Sequence, residues 1–179
     1  KLNRDGSYAW AKRAGGNGND FGEGISSLPD GSSIVTGYFQ GTATFGNITL
    51  TSSGSSDVFI AKLNADGSYA WATQAGGINF DEGQDISSQP DGSSIITGEF
   101  EGQATFGDTT LNSTGPTASF IAKLNADGSF AWATQAGGAG HSDGQGISSL
   151  PDGSSIVTGF FDGSAAFGET TLSSSGGFD

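Results

Sequence analysis

The chain contains no cysteine and no methionine, a single histidine, and six Lys and Arg against nineteen Asp and Glu. Without cysteine there is no disulfide framework, no thiolate nucleophile and no Cys-ligated zinc. With His141 alone, neither a two-histidine metal site nor a repeated catalytic triad can form. No apolar run approaches the ~20 residues that span a bilayer, and no secretion-signal pattern opens the chain. The formal net charge of −13 repels phosphate backbones and anionic lipid, which argues against nucleic acid and membrane insertion. No stretch carries the i, i+3, i+4, i+7 apolar spacing of a helix. Nor does any stretch match the Gly-x-Ser-x-Gly, P-loop or dinucleotide patterns, whose glycines must lead into a helix.

What the sequence does have is glycine, 32 of 179 residues, and repetition. Trp10, Trp71 and Trp132 are spaced by 61 residues. The same spacing carries Lys1-Leu2-Asn3, Lys62-Leu63-Asn64 and Lys123-Leu124-Asn125. It carries Pro29-Asp30-Gly31, Pro90-Asp91-Gly92 and Pro151-Asp152-Gly153 as well. We therefore divide the chain into three repeats, 1–61, 62–122 and 123–179, the last shorter by four residues. The four correspond to Val58–Ala61 and Ser119–Ala122, so the reading is a piece of a longer array.

Each repeat reads as strand. Asp57–Asn64 alternates, and Ser68–Gln74 follows across Asn64-Ala65-Asp66-Gly67. That linker has the chemistry of a type I turn closed by a residue at positive φ, which predicts a hairpin with a bulge. Leu28-Pro29-Asp30-Gly31 joins Gly24–Ser27 to Ser32–Phe39 in the same way. A smaller hairpin spans Thr42–Phe45 and Ile48–Thr51, turning at Gly46-Asn47. The expectation is all-β: four-stranded antiparallel sheets plus a short extra hairpin per repeat. Such sheets carry apolar side chains on both faces, as in Ile34-Val35, and must be covered on both. Radial stacking into a β-propeller satisfies this, the three repeats forming part of a larger propeller. A three-fold prism or trefoil-like barrel is the alternative, although trefoil repeats are shorter.

The stretch Asp57–Ala72, with Ala75-Gly76-Gly77 after it and Gly24-Ile25 through Asp30-Gly31 to Val35-Thr36-Gly37, resembles the bacterial SBBP-type (seven-bladed β-propeller) repeat family. All three repeats share the likeness. The extra hairpin around Phe45-Gly46-Asn47 lengthens the unit beyond the family pattern. The resemblance implies exported or surface-attached proteins, mostly without an assigned activity.

Candidate site residues lie in the loop after the Trp strand, which varies most between repeats. Asp20, Asp81 and Asp143, among glycines and amide oxygens, are candidate calcium ligands, since calcium takes six to eight oxygens. The competing reading is a solvated turn whose side chains bond their own backbone. No other cofactor is expected. Asp5, Asp66 and Asp127, and Asp30, Asp91 and Asp152, recur with the repeat and read as turn formers rather than glycosidase carboxylates. Tyr38, Glu99 and Phe160 share one position, the kind of place where a repeat scaffold differs to bind. The tryptophans read as buried between blades, the alternative being exposed rings that stack on sugars. Together these readings give a non-catalytic extracellular or cell-surface propeller module, acting as scaffold or adhesion surface. Its partners would be other blades of the same chain or a second copy, with a glycan or cell-surface protein as ligand. Two alternatives remain open: a filament subunit joined by strand addition, and a glycan-binding or glycan-processing propeller.

Overall fold

Alternating apolar residues punctuated by Gly-containing turns produce strands and no helix in the computed structural model, which describes Lys1–Asp179. The first repeat gives β1 (Gly15–Gly16), β2 (Asp20–Ser27), β3 (Ser33–Phe39), the hairpin β4 (Thr42–Phe45) and β5 (Ile48–Thr51), and β6 (Asp57–Leu63). Then follow β7 (Tyr69–Gly77), β8 (Asp81–Ser88), β9 (Ser94–Phe100), β10 (Gln103–Phe106), β11 (Thr109–Asn112) and β12 (Ala118–Leu124). The last are β13 (Phe130–Gly138), β14 (Ser142–Ser149), β15 (Ser155–Phe161), β16 (Ser164–Phe167) and β17 (Thr170–Ser173). No helix is long and apolar enough to cross a membrane.

The strands build propeller blades. β2-β3-β6-β7 is an antiparallel four-stranded leaf, and β8-β9-β12-β13 repeats it. The leaves therefore start at Asp20 and Asp81, so the divisions at 61/62 and 122/123 fall inside β6 and β12. The turns behave as their composition requires. Asn64 O accepts from Gly67 N–H at 2.9 Å, Gly67 takes φ +81°, and the Asp66 carboxylate accepts from Ser68 N–H and O–H at 2.9 and 2.7 Å. A register shift at Lys62/Leu63 supplies the bulge.

The short hairpin of each repeat is present where the sequence places it. It does not extend the leaf formed by the strands that flank it but crosses to the preceding leaf, β10 pairing with β7 and β16 with β13, while β4 pairs with β1. The second glycine of each Gly-Gly pair makes this possible. A Cβ on Gly77 would stand 1.8 Å from the Gln103 carbonyl oxygen, so only glycine admits the hairpin backbone. Gln135 closes the clamp, its side chain bonding both N–H (3.0 Å) and C=O (2.8 Å) of Asn112. Successive leaves are thus stitched at the outer rim as well as stacked face to face.

Between the two complete leaves lies the main core, in which Ile34, Val58 and Ile60 meet Ile86, Ile96 and Phe100, with Phe106 and Phe120 behind them. The inner strands touch across the stack: Ser26 and Ser88 hydroxyls lie 2.7 Å apart, and Ile147 N–H donates to the Asp85 carboxylate at 2.9 Å. Trp10 and Trp71 lie between leaves at the turn end, each indole N–H donating to a carbonyl one repeat on, Ala65 and Ala126, at 3.2 Å. Their rings lie against Gly67 and Gly128, whereas Trp132, which has no such neighbour, is 42% exposed rather than buried between blades.

Candidate binding surface

The six recurrent Asp are turn ligands. Asp5, Asp30, Asp66, Asp91, Asp127 and Asp152 each accept from the Ser two residues on, and those bonds hold their carboxyls below the ordinary range.

The calcium candidates are placed otherwise. Asp20 and Asp81 occupy equivalent positions at the start of β2 and β8, each accepting from a Gly N–H, that of Gly16 and of Gly77, at 2.7 Å. The third member of that position is Ser142. Asp143 sits one residue further and matches Phe21 and Glu82. The three are not brought together, and no group of three acidic or histidine side chains converges as a metal ion would need. Asp81 is fully buried beside Asp57, the two carboxylates flanking Gly76. Burial, and then the Asp57 charge, push the Asp81 carboxyl up to about 7; Asp57 is raised by burial. In the next repeat the same two places hold Ala118 and Ser142.

One row on the two inner strands changes character from leaf to leaf. Directly opposed pairs are Phe21 with Tyr38, Glu82 with Glu99, and Asp143 with Phe160. The first is a ring stack at 5.0 Å, which Phe80 joins 5.8 Å from Tyr38. The second sets like charges face to face, an unfavourable cross-strand pair. Burial, then Glu99, raise the Glu82 carboxyl to about 7 against a lowering from the Tyr38 hydroxyl; Glu23 and Asp143 add to the rise. Glu99 is raised by burial and by Asp143, while Thr117 and His141 pull it down. Asp143 is raised by burial, and Gln145 donates to it. The loop end of the inner strands is therefore acidic with an aromatic flank. No lysine or arginine acts on these carboxyls; Lys62, Lys12 and Lys123 act at the opposite, turn end.

The Thr117 hydroxyl lies 3.5 Å from His141 Nδ1 and bonds the backbone of Ser142. The position of Tyr38, Glu99 and Phe160 is one the sequence singles out. That Phe21, Glu82 and Asp143 oppose it is missed, because the bulge between Gly22 and Gly24 (and its counterparts Gly83/Asp85 and Gly144/Gly146) shifts the register by one. Counting outward from the Pro-Asp-Gly turn with that extra residue finds the pair.

Comparison with known proteins agrees with the architecture. A family model described as "Domain of unknown function (DUF5122) beta-propeller" matches residues 28–68, a stretch that runs from the Pro-Asp-Gly turn to the Asp66 turn. No curated protein matches the chain.

Proposed function

We propose that the chain is a non-catalytic repeat module of an extracellular or cell-surface β-propeller of the bacterial SBBP type, serving as scaffold and adhesive binding surface. One observation carries this reading: a constant frame presents a changing row. Turns, hairpins and Gly-Gly strand ends recur, whereas Phe21–Tyr38, Glu82–Glu99 and Asp143–Phe160 replace one another at a single place in the leaf. A scaffold that recognises through differences on equivalent sites has this form. The use of the recurrent acids as turn ligands supports a non-catalytic role.

Completion by further leaves, from the same chain or a second copy, belongs to this reading. Ile156 is 62% exposed and Phe167 42%, where Ile34 and Phe106 at the same repeat positions are fully buried.

Binding of the labelled chain to a glycan array and to cell surfaces tests the proposal. The expected result is retention that is lost in the double variant Tyr38→Ala/Glu99→Ala, with an unchanged circular dichroism spectrum. Retention indifferent to that variant, or turnover of a bound glycan, overturns it. Sedimentation equilibrium should show reversible self-association, and a strictly monomeric chain at every concentration would contradict completion by a second copy.

A further inference from the structure

The loop end of the inner strands gathers three carboxylates without a counter-ion. Glu82 on β8 and Glu99 on β9 are directly opposed and half-buried. Asp143 on β14 belongs to the neighbouring leaf, yet its charge bears on both of them. Asp143 is 4% exposed; Gln145 donates to its Oδ2, and its Oδ1 is buried with no hydrogen-bond partner. No lysine or arginine acts on any of the three, Glu23 and Glu101 add further negative charge, and the one basic neighbour is His141, beside Glu99. Opposed like charges repel, and a buried carboxylate oxygen without a donor has lost its hydration uncompensated. A cation from outside offsets both.

The surroundings select the kind of cation. Toward the first leaf stands a wall of rings, Phe21 and Tyr38 stacked at 5.0 Å and Phe80 5.8 Å from Tyr38, with the Tyr38 hydroxyl reaching Glu82. Such a wall suits a methylene stem and the positive head beside it. Three separate carboxylates suit an ammonium, whose three donors turn freely, better than a planar guanidinium, which one bidentate carboxylate matches. A metal ion would need the acidic oxygens drawn to a single point, and they are not. The amine of an amino sugar is attached directly to its ring, so the whole ring would have to enter to bring it to a carboxylate as buried as Asp143. A lysine carries its ammonium on a slender, flexible stem and reaches it. We infer that this place is a binding site for a lysine side chain of a partner protein, its ammonium shared by Glu82, Glu99 and Asp143 and its stem laid along Tyr38 and Phe80. The inference rests on the reading of the changing row as a binding surface and names what the second leaf's version of it takes.

The test titrates the whole chain with the peptide acetyl-Gly-Gly-Lys-Gly-Gly-amide and follows the backbone amides by nuclear magnetic resonance. Saturable shifts confined to the neighbourhood of Glu82, Glu99 and Asp143 are expected. Acetylating the peptide's lysine nitrogen should weaken binding at least about tenfold, and arginine in place of that lysine about fivefold. Glu99→Gln, which keeps the shape and removes one of two opposed charges, should weaken it about tenfold and leave the fold intact. Absence of saturable shifts, glucosamine bound as tightly as the peptide, equal binding of the acetylated peptide, or indifference to Glu99→Gln overturns the inference. Should glycan or cell-surface retention depend on Tyr38 and Glu99 while the peptide fails to bind, the lysine is wrong and the binding surface survives. A chain that binds the peptide, yet is retained on cells equally well as the Tyr38→Ala/Glu99→Ala variant, keeps the lysine site and loses the adhesive reading.

Discussion

Phe106→Ala is expected to lower the unfolding free energy by about 3–5 kcal/mol, while Phe167→Ala, the same position one repeat later, costs under about 1 kcal/mol. Phe106 is fully buried, 4.7 Å from Phe120 and edge-on to Phe130 at 5.8 Å. Phe167 is 42% exposed, and the one aromatic ring it pairs with is Phe161, at 5.7 Å. Removing the first leaves a cavity between hairpin and leaf; removing the second deletes surface that water already reaches. Against a typical stability of about 5–15 kcal/mol for a domain, the Phe106 variant approaches unfolding. Urea denaturation of the two variants beside the parent chain measures the difference. Equal losses would mean that the leaves do not bury their hairpins differently, and the stacking described above would be wrong.

The second large effect is a gain of stability on acidification. Asp81 has its carboxyl raised from 3.8 to about 7 in the folded chain, and Glu82 is raised from 4.5 to about 7. A group whose folded pKa is raised contributes stability that is full below the unfolded pKa, near 4, and lost as pH rises through about 7. The melting temperature should therefore climb as pH falls from 8.5 to 5. For Asp81, fully buried, the shift corresponds to roughly 4 kcal/mol, in part shared with Asp57, because one proton relieves both charges. Below about 4 the trend reverses, since the turn carboxylates of Asp5, Asp30, Asp66, Asp91, Asp127 and Asp152 are lowered and lose their serine bonds on protonation. Asp81→Asn retains an oxygen for Gly77 N–H and removes the charge. That variant should be more stable than the parent at pH 8.5 and flatter between pH 8.5 and 5. A parent chain whose melting temperature falls over that interval contradicts the burial of this pair.

The turns were legible in the sequence because their chemistry is local. Asn64, Asp66, Gly67 and Ser68 satisfy one another within five residues, so position and bulge follow from composition alone. Strand identity was legible for a similar reason, alternation being a property of each segment, and the matched family model agrees with the propeller class it implied. The destination of the short hairpin was not legible. Thr42–Phe45 carries the same alternation whether it pairs with its own leaf or with its neighbour's, and the choice rests on Gly15-Gly16, which lie ahead of the leaf that begins at Asp20. The Gly-Gly pair looked like a loop because glycine's role there is to admit another backbone rather than to bend its own. Asp143 was aligned with Asp81 by residue type, whereas the fold aligns it with Glu82. The opposed Glu82 and Glu99 emerge only once the bulge is counted, and their burial depends on the neighbouring leaf, which no single-repeat pattern encodes.

A cysteine-free chain permits a clean proximity measurement. Ser26 on β2 and Ser88 on β8 belong to different leaves, with hydroxyls 2.7 Å apart and Ser88 N–H donating to Ser26 at 3.0 Å. Ser26→Cys/Ser88→Cys should oxidise in air to an intrachain disulfide, found by peptide mapping without reductant, and should resist urea better than its reduced form. Folded protein that keeps both thiols free under oxidising conditions, or that links only between chains, would show that the inner strands of neighbouring leaves do not lie side by side.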